Sequence, residues 1–144
     1  MTVAAILKHK GSEVVSVAPT TMVVELARLL TVRRIGAALV RDSADQLLGI
    51  VTERDVLFAV GSKGAEAMEI TVAQLMTRAL TTVTPSTTVA EAMELMTAGR
   101  FRHLPVVEHG RLLGLVSIGD VVKMRLMTQE GEVESLKAYV AGAA

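Results

Sequence analysis

The 144-residue sequence has no cysteine and no tryptophan, and its only aromatic residues are two phenylalanines and one tyrosine. The missing thiol excludes disulfides and cysteine nucleophiles. The shortage of rings removes the stacking platform that single-stranded nucleic acids need. An excess of charge of one sign is missing too, since 15 Lys and Arg balance 15 Asp and Glu. No global field therefore draws the chain to nucleic acid or to an anionic membrane. No apolar run approaches the length of a spanning helix, and Met1-Thr2-Val3 lacks the basic start of a signal peptide. A soluble, cytoplasmic protein is the default expectation. The three histidines, His9, His103 and His109, lie in separate segments without a partner at ligand spacing, so no metal site is expected. No Gly-x-Ser-x-Gly elbow, P-loop or Gly-x-Gly-x-x-Gly is present, and no catalyst is legible.

What the chain does have is apolar bulk and a repeat. It is 51% hydrophobic, so Val, Leu, Ile, Ala and Met must build the core. The stretch Gly49-Ile50-Val51-Thr52-Glu53-Arg54-Asp55-Val56 returns as Gly114-Leu115-Val116-Ser117-Ile118-Gly119-Asp120-Val121. Each copy follows a Leu-Leu pair, which reads as a short buried strand. A hydroxyl residue followed three positions later by an acid marks a helix start. Such a pair can cap the helix reciprocally. The same strand–helix turn also offers free N–H groups and positive potential to an anion, and its carboxylate can accept from a cis-diol such as a ribose. Capping alone does not require the same Gly-to-Asp spacing twice, so the duplication favours a site.

The rest of the chain repeats around these motifs. Val3–Leu7 reads as a short helix ending near Gly11, and Val14–Val17 as a strand. Pro19-Thr20-Thr21 is a turn and cap, Val23–Arg33 a helix stopped by Gly36, and Ala37–Val40 a strand. Asp42–Asp45 is a hairpin loop, Gln46–Val51 the return strand, and Glu53–Val60 a helix, with Gly61–Gly64 resembling a linker. In the second half Val72–Met76 echoes Val3–Leu7, Leu80–Val83 is a strand, and Pro85-Ser86-Thr87 mirrors the first turn. Val89–Met96 is a helix, and Leu104–Val107 and Arg111–Val116 are strands about Glu108-His109-Gly110. Pro19 and Pro85 are 66 residues apart but Gly49 and Gly114 are 65 apart, which places a one-residue deletion in the hairpin. Two supersecondary units of this size are expected to bury their apolar faces together. After Asp120 a long helix is expected. Val133, Leu136, Tyr139 and Val140 form an apolar stripe beyond Gly131, suited to a second copy or a partner.

These residues resemble paired cystathionine-β-synthase (CBS) domains, the Bateman module. The resemblance runs from Val3 to about Val122. It is carried by the two Gly-x-x-[Ser/Thr]-x-x-Asp motifs, the Pro-[Ser/Thr]-Thr turns, Gln74-Leu75-Met76-Thr77 and Arg102-His103-Leu104-Pro105-Val106-Val107. It implies an α/β (α+β) fold of tandem repeats, each a small three-stranded sheet with flanking helices, related by a pseudo-twofold axis. The repeats would be residues 1–66 and 67–128, followed by a helical tail, 129–144. No catalytic domain is attached, so the chain is similar to stand-alone bacterial CBS pairs, and no enzyme activity is implied.

The resemblance further implies clefts that bind an adenosine nucleotide, AMP foremost, with ATP, ADP or NAD(H) as alternatives. Asp55 and Asp120 take the ribose positions, and Thr52 and Ser117 the hydroxyl positions. One cleft would combine Thr52, Arg54 and Asp55 with Thr81, Arg102 and His103. The other would combine Ser117 and Asp120 with Val15, Gly36 and Ala37. That second cleft has glycine and alanine where the first has cations, so Lys8 or Lys10 would have to supply its positive charge. The implied role is a regulatory sensor, a homodimer acting on an unidentified protein partner. The alternative is a dimerisation or adaptor module with no physiological ligand.

Overall fold

The computed structural model describes residues 1–143, which fold as two compact units. One is continuous, Glu13–Thr81. The other is composite, made of Met1–Ser12 and the chain from Thr82 onward.

The continuous unit holds a three-stranded sheet in the order β1-β2-β3. Strand β1 (Ser16–Val17) runs parallel to β2 (Ala37–Arg41), and β2 runs antiparallel to β3 (Leu47–Thr52). Only Ser16 and Val17 of the expected Val14–Val17 strand pair in register, with Leu39 and Val40. The hairpin loop is tied by Asp42, whose Oδ1 accepts from the N–H groups of Ala44 and Gln46. Helix α2 (Val23–Arg33) ends at Arg34 in the left-handed region, two residues before the glycine expected to stop it. Helix α3 (Glu53–Lys63) passes through the segment that resembled a linker and continues as a 3-10 turn over Gly64–Glu69. Gly61 thus sits inside a helix, and it is Gly64, at the helix end, that takes a positive φ. Leu26, Leu30, Ala38, Val40, Val51, Val72 and Met76 form the core of this unit.

The composite unit repeats the plan. Helix α4 (Val89–Gly99) is capped by Thr88, whose Oγ1 accepts from Glu91 N–H. It ends at Arg100 in the left-handed region, the counterpart of Arg34. Strands β4 (His103–Glu108) and β5 (Arg111–Ser117) form the hairpin. Both hairpins carry a register shift at equivalent places, Val40/Arg41 and Val106/Val107. The equivalent pairs just past the shifts are Arg41 with Leu47 and Val107 with Leu112, so the second hairpin is shorter by one residue between them, as the offsets required. The expected Leu80–Val83 strand is reduced to one parallel bridge, Val83 to Val106. Val83 N–H donates to Pro105 O and Val107 N–H to Val83 O, and the sheet proper has two strands. Helix α5 (Ile118–Ala143) closes the chain.

The repeat boundary and the packing boundary differ, and the cause is a reciprocal exchange. Helix α1 (Val3–Lys10) opens the first repeat, yet Val3 and Ile6 lie in the core of the composite unit. Val3 N–H donates to Thr87 O and Val89 N–H to Met1 O. The equivalent segment before the second repeat does the converse. Val72 N–H donates to Thr21 O, Val23 N–H to Ile70 O, and Val72 is buried in the continuous unit. Each opening segment thus covers the sheet and helix of the other repeat. A division at 66/67 follows the repeats; the packing follows the exchange. No described polar or charged residue is buried, so hydrophobic burial dominates both cores.

Candidate functional site

Strand β3 delivers Thr52 to the N-terminus of α3, and β5 delivers Ser117 to the N-terminus of α5. At the first turn Asp55 Oδ2 accepts from Thr52 N–H at 2.9 Å and from Thr52 Oγ1 at 3.2 Å, while Asp55 N–H donates to Thr52 Oγ1 at 3.3 Å. At the second, Asp120 Oδ2 accepts from Ser117 N–H at 2.8 Å and from Ser117 Oγ at 2.9 Å, and Asp120 N–H donates to Ser117 Oγ at 3.2 Å. Both are reciprocal capping boxes, so the spacing serves the helix start in each copy. In both, the bonds fall on Oδ2, and Oδ1 has no hydrogen bond among the described residues.

The two turns differ in their neighbours. Lys10, at the end of α1, donates from Nζ to Asp120 Oδ2 at 2.7 Å and to Leu115 O at 2.7 Å. Asp120 therefore spends three of about four acceptor positions inside the protein, whereas Asp55 spends two. Burial pushes the Asp120 carboxyl upward. The Lys10 hydrogen bond, the Ser117 N–H and hydroxyl, and the Lys10 charge together outweigh it and hold the group below the usual carboxylate range.

The sign of that shift fixes a pH dependence. A carboxyl whose pKa is lower folded than unfolded contributes stability above its unfolded value of about 3.9, and loses it as pH falls through the folded value. Lys10→Met should cost about 1 kcal/mol at neutral pH, a modest figure because Lys10 is part-exposed. The difference from wild type should narrow as pH falls from the unfolded value through the lower folded one. Urea denaturation of both chains at about pH 7 and at a series of acid pH values checks this; a difference that stays constant across the series would deny the ion pair its role.

The structure sorts the remaining sequence-predicted residues by unit. Val15, Gly36, Ala37, Thr52, Arg54, Asp55 and Thr81 lie in the continuous unit; Arg102, His103, Ser117 and Asp120 lie in the composite one. Ala37 pairs with Thr52 in register, and Gly36 O accepts from Glu53 N–H. At equivalent places His103 pairs with Ser117, and Arg102 O accepts from Ile118 N–H. Within its unit, the Ser117–Asp120 turn is therefore flanked by Arg102, His103 and Lys10. The Thr52–Asp55 turn is flanked by Gly36, Ala37 and the exposed Arg54. Val15 holds β2 through its carbonyl, which accepts from Leu39 N–H. Thr81 is half-buried just before the Val83 bridge. Asp55 also lines an open depression of about 410 Å³ with Phe58, Lys63 and Gln74, which neither Gly36 nor Ala37 lines.

Sequence reasoning offered Lys8 or Lys10 as a source of positive charge, but could not show that Lys10 reaches Asp120 itself. Its separation of 110 residues from Asp120 left no local signal. No group of three or more metal-ligating side chains occurs among the described residues. No described helix is long and apolar enough to cross a membrane.

The family model for the CBS domain matches residues 5–62 and again 72–126. Among solved structures, a CBS-domain containing protein from Agrobacterium tumefaciens is 44% identical, with a TM-score of 0.85, over 86% of this chain and 92% of that one. A putative signal-transduction protein with CBS domains from Burkholderia ambifaria is 40% identical, with a TM-score of 0.84, over 90% and 96%. CBSX2, solved in complex with AMP, is 29% identical with a TM-score of 0.69, over 83% and 91%. The mitochondrial CBS domain-containing protein CBSX3 of Arabidopsis thaliana is 39% identical over 83% of this chain. The chain spans 60% of CBSX3 and 24% of a second plant relative, CBSCBSPB1. Two matched segments, two copies of one strand–turn–helix motif and the shared fold lead to one conclusion: this chain belongs to the CBS-domain family, as a tandem pair of CBS domains.

Proposed function

We propose that this pair is a non-enzymatic regulatory module, a cytoplasmic homodimer that senses an adenosine nucleotide, AMP foremost, bound between its two repeats. The observation that carries the reading is the doubled hydroxyl–carboxylate turn, with Oδ1 of Asp55 and of Asp120 uncommitted beside a helix N-terminus. A ribose diol can donate to such an oxygen, and the turn's positive end suits a phosphate. The relative that carries AMP shares the fold and 29% of the sequence. Within its own unit the Ser117–Asp120 turn is flanked by Arg102, His103 and Lys10, whereas the other turn has Arg54 beside it and Lys63 in the depression that Asp55 lines.

Calorimetric titration with AMP and 2′-deoxy-AMP tests the reading. Asp→Asn is the variant of choice, because an amide oxygen can still accept the capping bonds. Losing a hydrogen bond to a charged group costs about 1.5–3 kcal/mol, so AMP should weaken roughly tenfold to 150-fold at the occupied turn. The deoxy ligand should weaken comparably against wild type and little further against that variant. Equal affinity of wild type for the two ligands removes the ribose assignment. If AMP, ADP, ATP and NAD(H) all leave the melting temperature unmoved, the clefts have no nucleotide and the adaptor alternative stands.

A further inference from the structure

Helix α5 runs unbroken for 26 residues, about 39 Å at 1.5 Å per residue. Only its beginning packs inward. Val121 and Met124 lie in the composite core, and Thr128 Oγ1 reaches Met1 Sδ at 3.4 Å and Met124 O at 2.9 Å. The opposite face carries Val122, Leu126, Val133, Leu136 and Val140, each at least 45% exposed. Their spacing is a heptad pattern. Leu126, Val133 and Val140 fall at position a, and Val122, Gln129 and Leu136 at position d. Gly131 falls at the outer f position, where a missing side chain costs the seam nothing.

We infer that this face is the seam of a parallel, in-register two-stranded coiled coil with α5 of a second copy of this chain. The flanking charges select both occupant and direction. In a parallel pair each g residue meets the e residue five positions on in the partner helix. Arg125 would meet Glu130 of the second copy, and Glu132 would meet Lys137; both matches join opposite charges and both occur twice by symmetry. The antiparallel arrangement brings like positions together: Glu130 on Glu130, Glu132 on Glu132 and Lys123 on Lys137 are all repulsive, and Arg125 is left facing the uncharged Tyr139. Gln129 adds a register signal, since in the parallel pair the two amides face each other rather than Val133. Valine predominating at a, with Leu136 at d, is the pattern that favours two strands. Lys137 already lies 3.8 Å from Glu134 of its own helix, an exposed pair that can be shared or exchanged at little cost. The inference does not depend on nucleotide binding.

The absence of native cysteine makes the test direct. In a parallel seam, equal a or d positions lie roughly 6 Å apart between Cα atoms, within disulfide reach. Full-length Val122→Cys and Val140→Cys chains, oxidised separately at micromolar concentration, should each cross-link to themselves. Ser135→Cys, on the outer face, is the control and should remain largely uncross-linked. In an antiparallel pair each of the two cysteines would lie about 27 Å from its own copy, and only a mixture of the two chains would link. Sedimentation should show Glu132→Lys weakening the dimer about tenfold, and Glu132→Lys with Lys137→Glu restoring it. Self-linking at 122 and 140 no faster than the control, or linking in the mixture alone, overturns the proposal, even if sedimentation still shows a dimer held elsewhere.

Discussion

Replacing Val3 and Ile6 together by alanine is expected to loosen the unit formed by the second repeat, not the first repeat to which they belong in sequence. Both side chains are at most 2% exposed in the core that also contains Val89, Leu104, Val116 and Val121. Truncating a buried Ile costs about 2–5 kcal/mol, and a buried Val somewhat less, through lost transfer energy and the cavity left behind. Two neighbouring truncations share one cavity and need not add. A combined loss of about 4–6 kcal/mol approaches the whole stability of a small domain. Native-state hydrogen exchange should show amide protection falling first in β4, β5 and the start of α5, while β2 and β3 retain theirs. Loss confined to β2 and β3 would contradict the exchange of opening segments.

Gly49 and Gly114 occupy the same place in the repeated motif, yet alanine is expected to be far worse at the first. A Cβ at Gly49 would meet Thr77 O at 2.6 Å and Met76 Sδ at 3.0 Å. That carbonyl is fixed, because Ile50 N–H donates to Thr77 O and Thr77 N–H to Ile50 O across β3. Relief requires breaking the bridge or shifting the backbone, so Gly49→Ala should cost about 2–4 kcal/mol. The nearest atoms to a Cβ at Gly114 all belong to the Leu7 side chain, with its closest methyl at 2.7 Å. Leu7 is part-buried on a short helix and can change rotamer, so Gly114→Ala should cost about 1 kcal/mol or less. Urea denaturation of the two variants measures the contrast. Equal costs would mean that backbone conformation, rather than the crossing segment, demands glycine there.

The parts of this protein that the sequence determined by itself are those whose interactions close within a few residues. Thr52 with Asp55 and Ser117 with Asp120 could be read as helix starts because a capping box spans three positions and needs no distant partner. The hairpins, their one-residue difference and the α2 and α4 helices were legible for the same reason: turn chemistry and apolar period are local. The linker-like Gly61–Gly64 misled, because glycine only weakens a helix, and here α3 continues over it. The tertiary structure decided everything that depends on which apolar face lies opposite which. Val3–Lys10 and the segment at Val72 have similar composition, and either could cover either sheet; the side-chain pattern does not encode the partner. That choice put Lys10 on Asp120 and Thr77 on Gly49, and so made two copies of one motif chemically unequal. It also left Leu80–Val83 with a single bridging residue. A strand exists only where a neighbour supplies the ladder, and no stretch of sequence carries its neighbour with it.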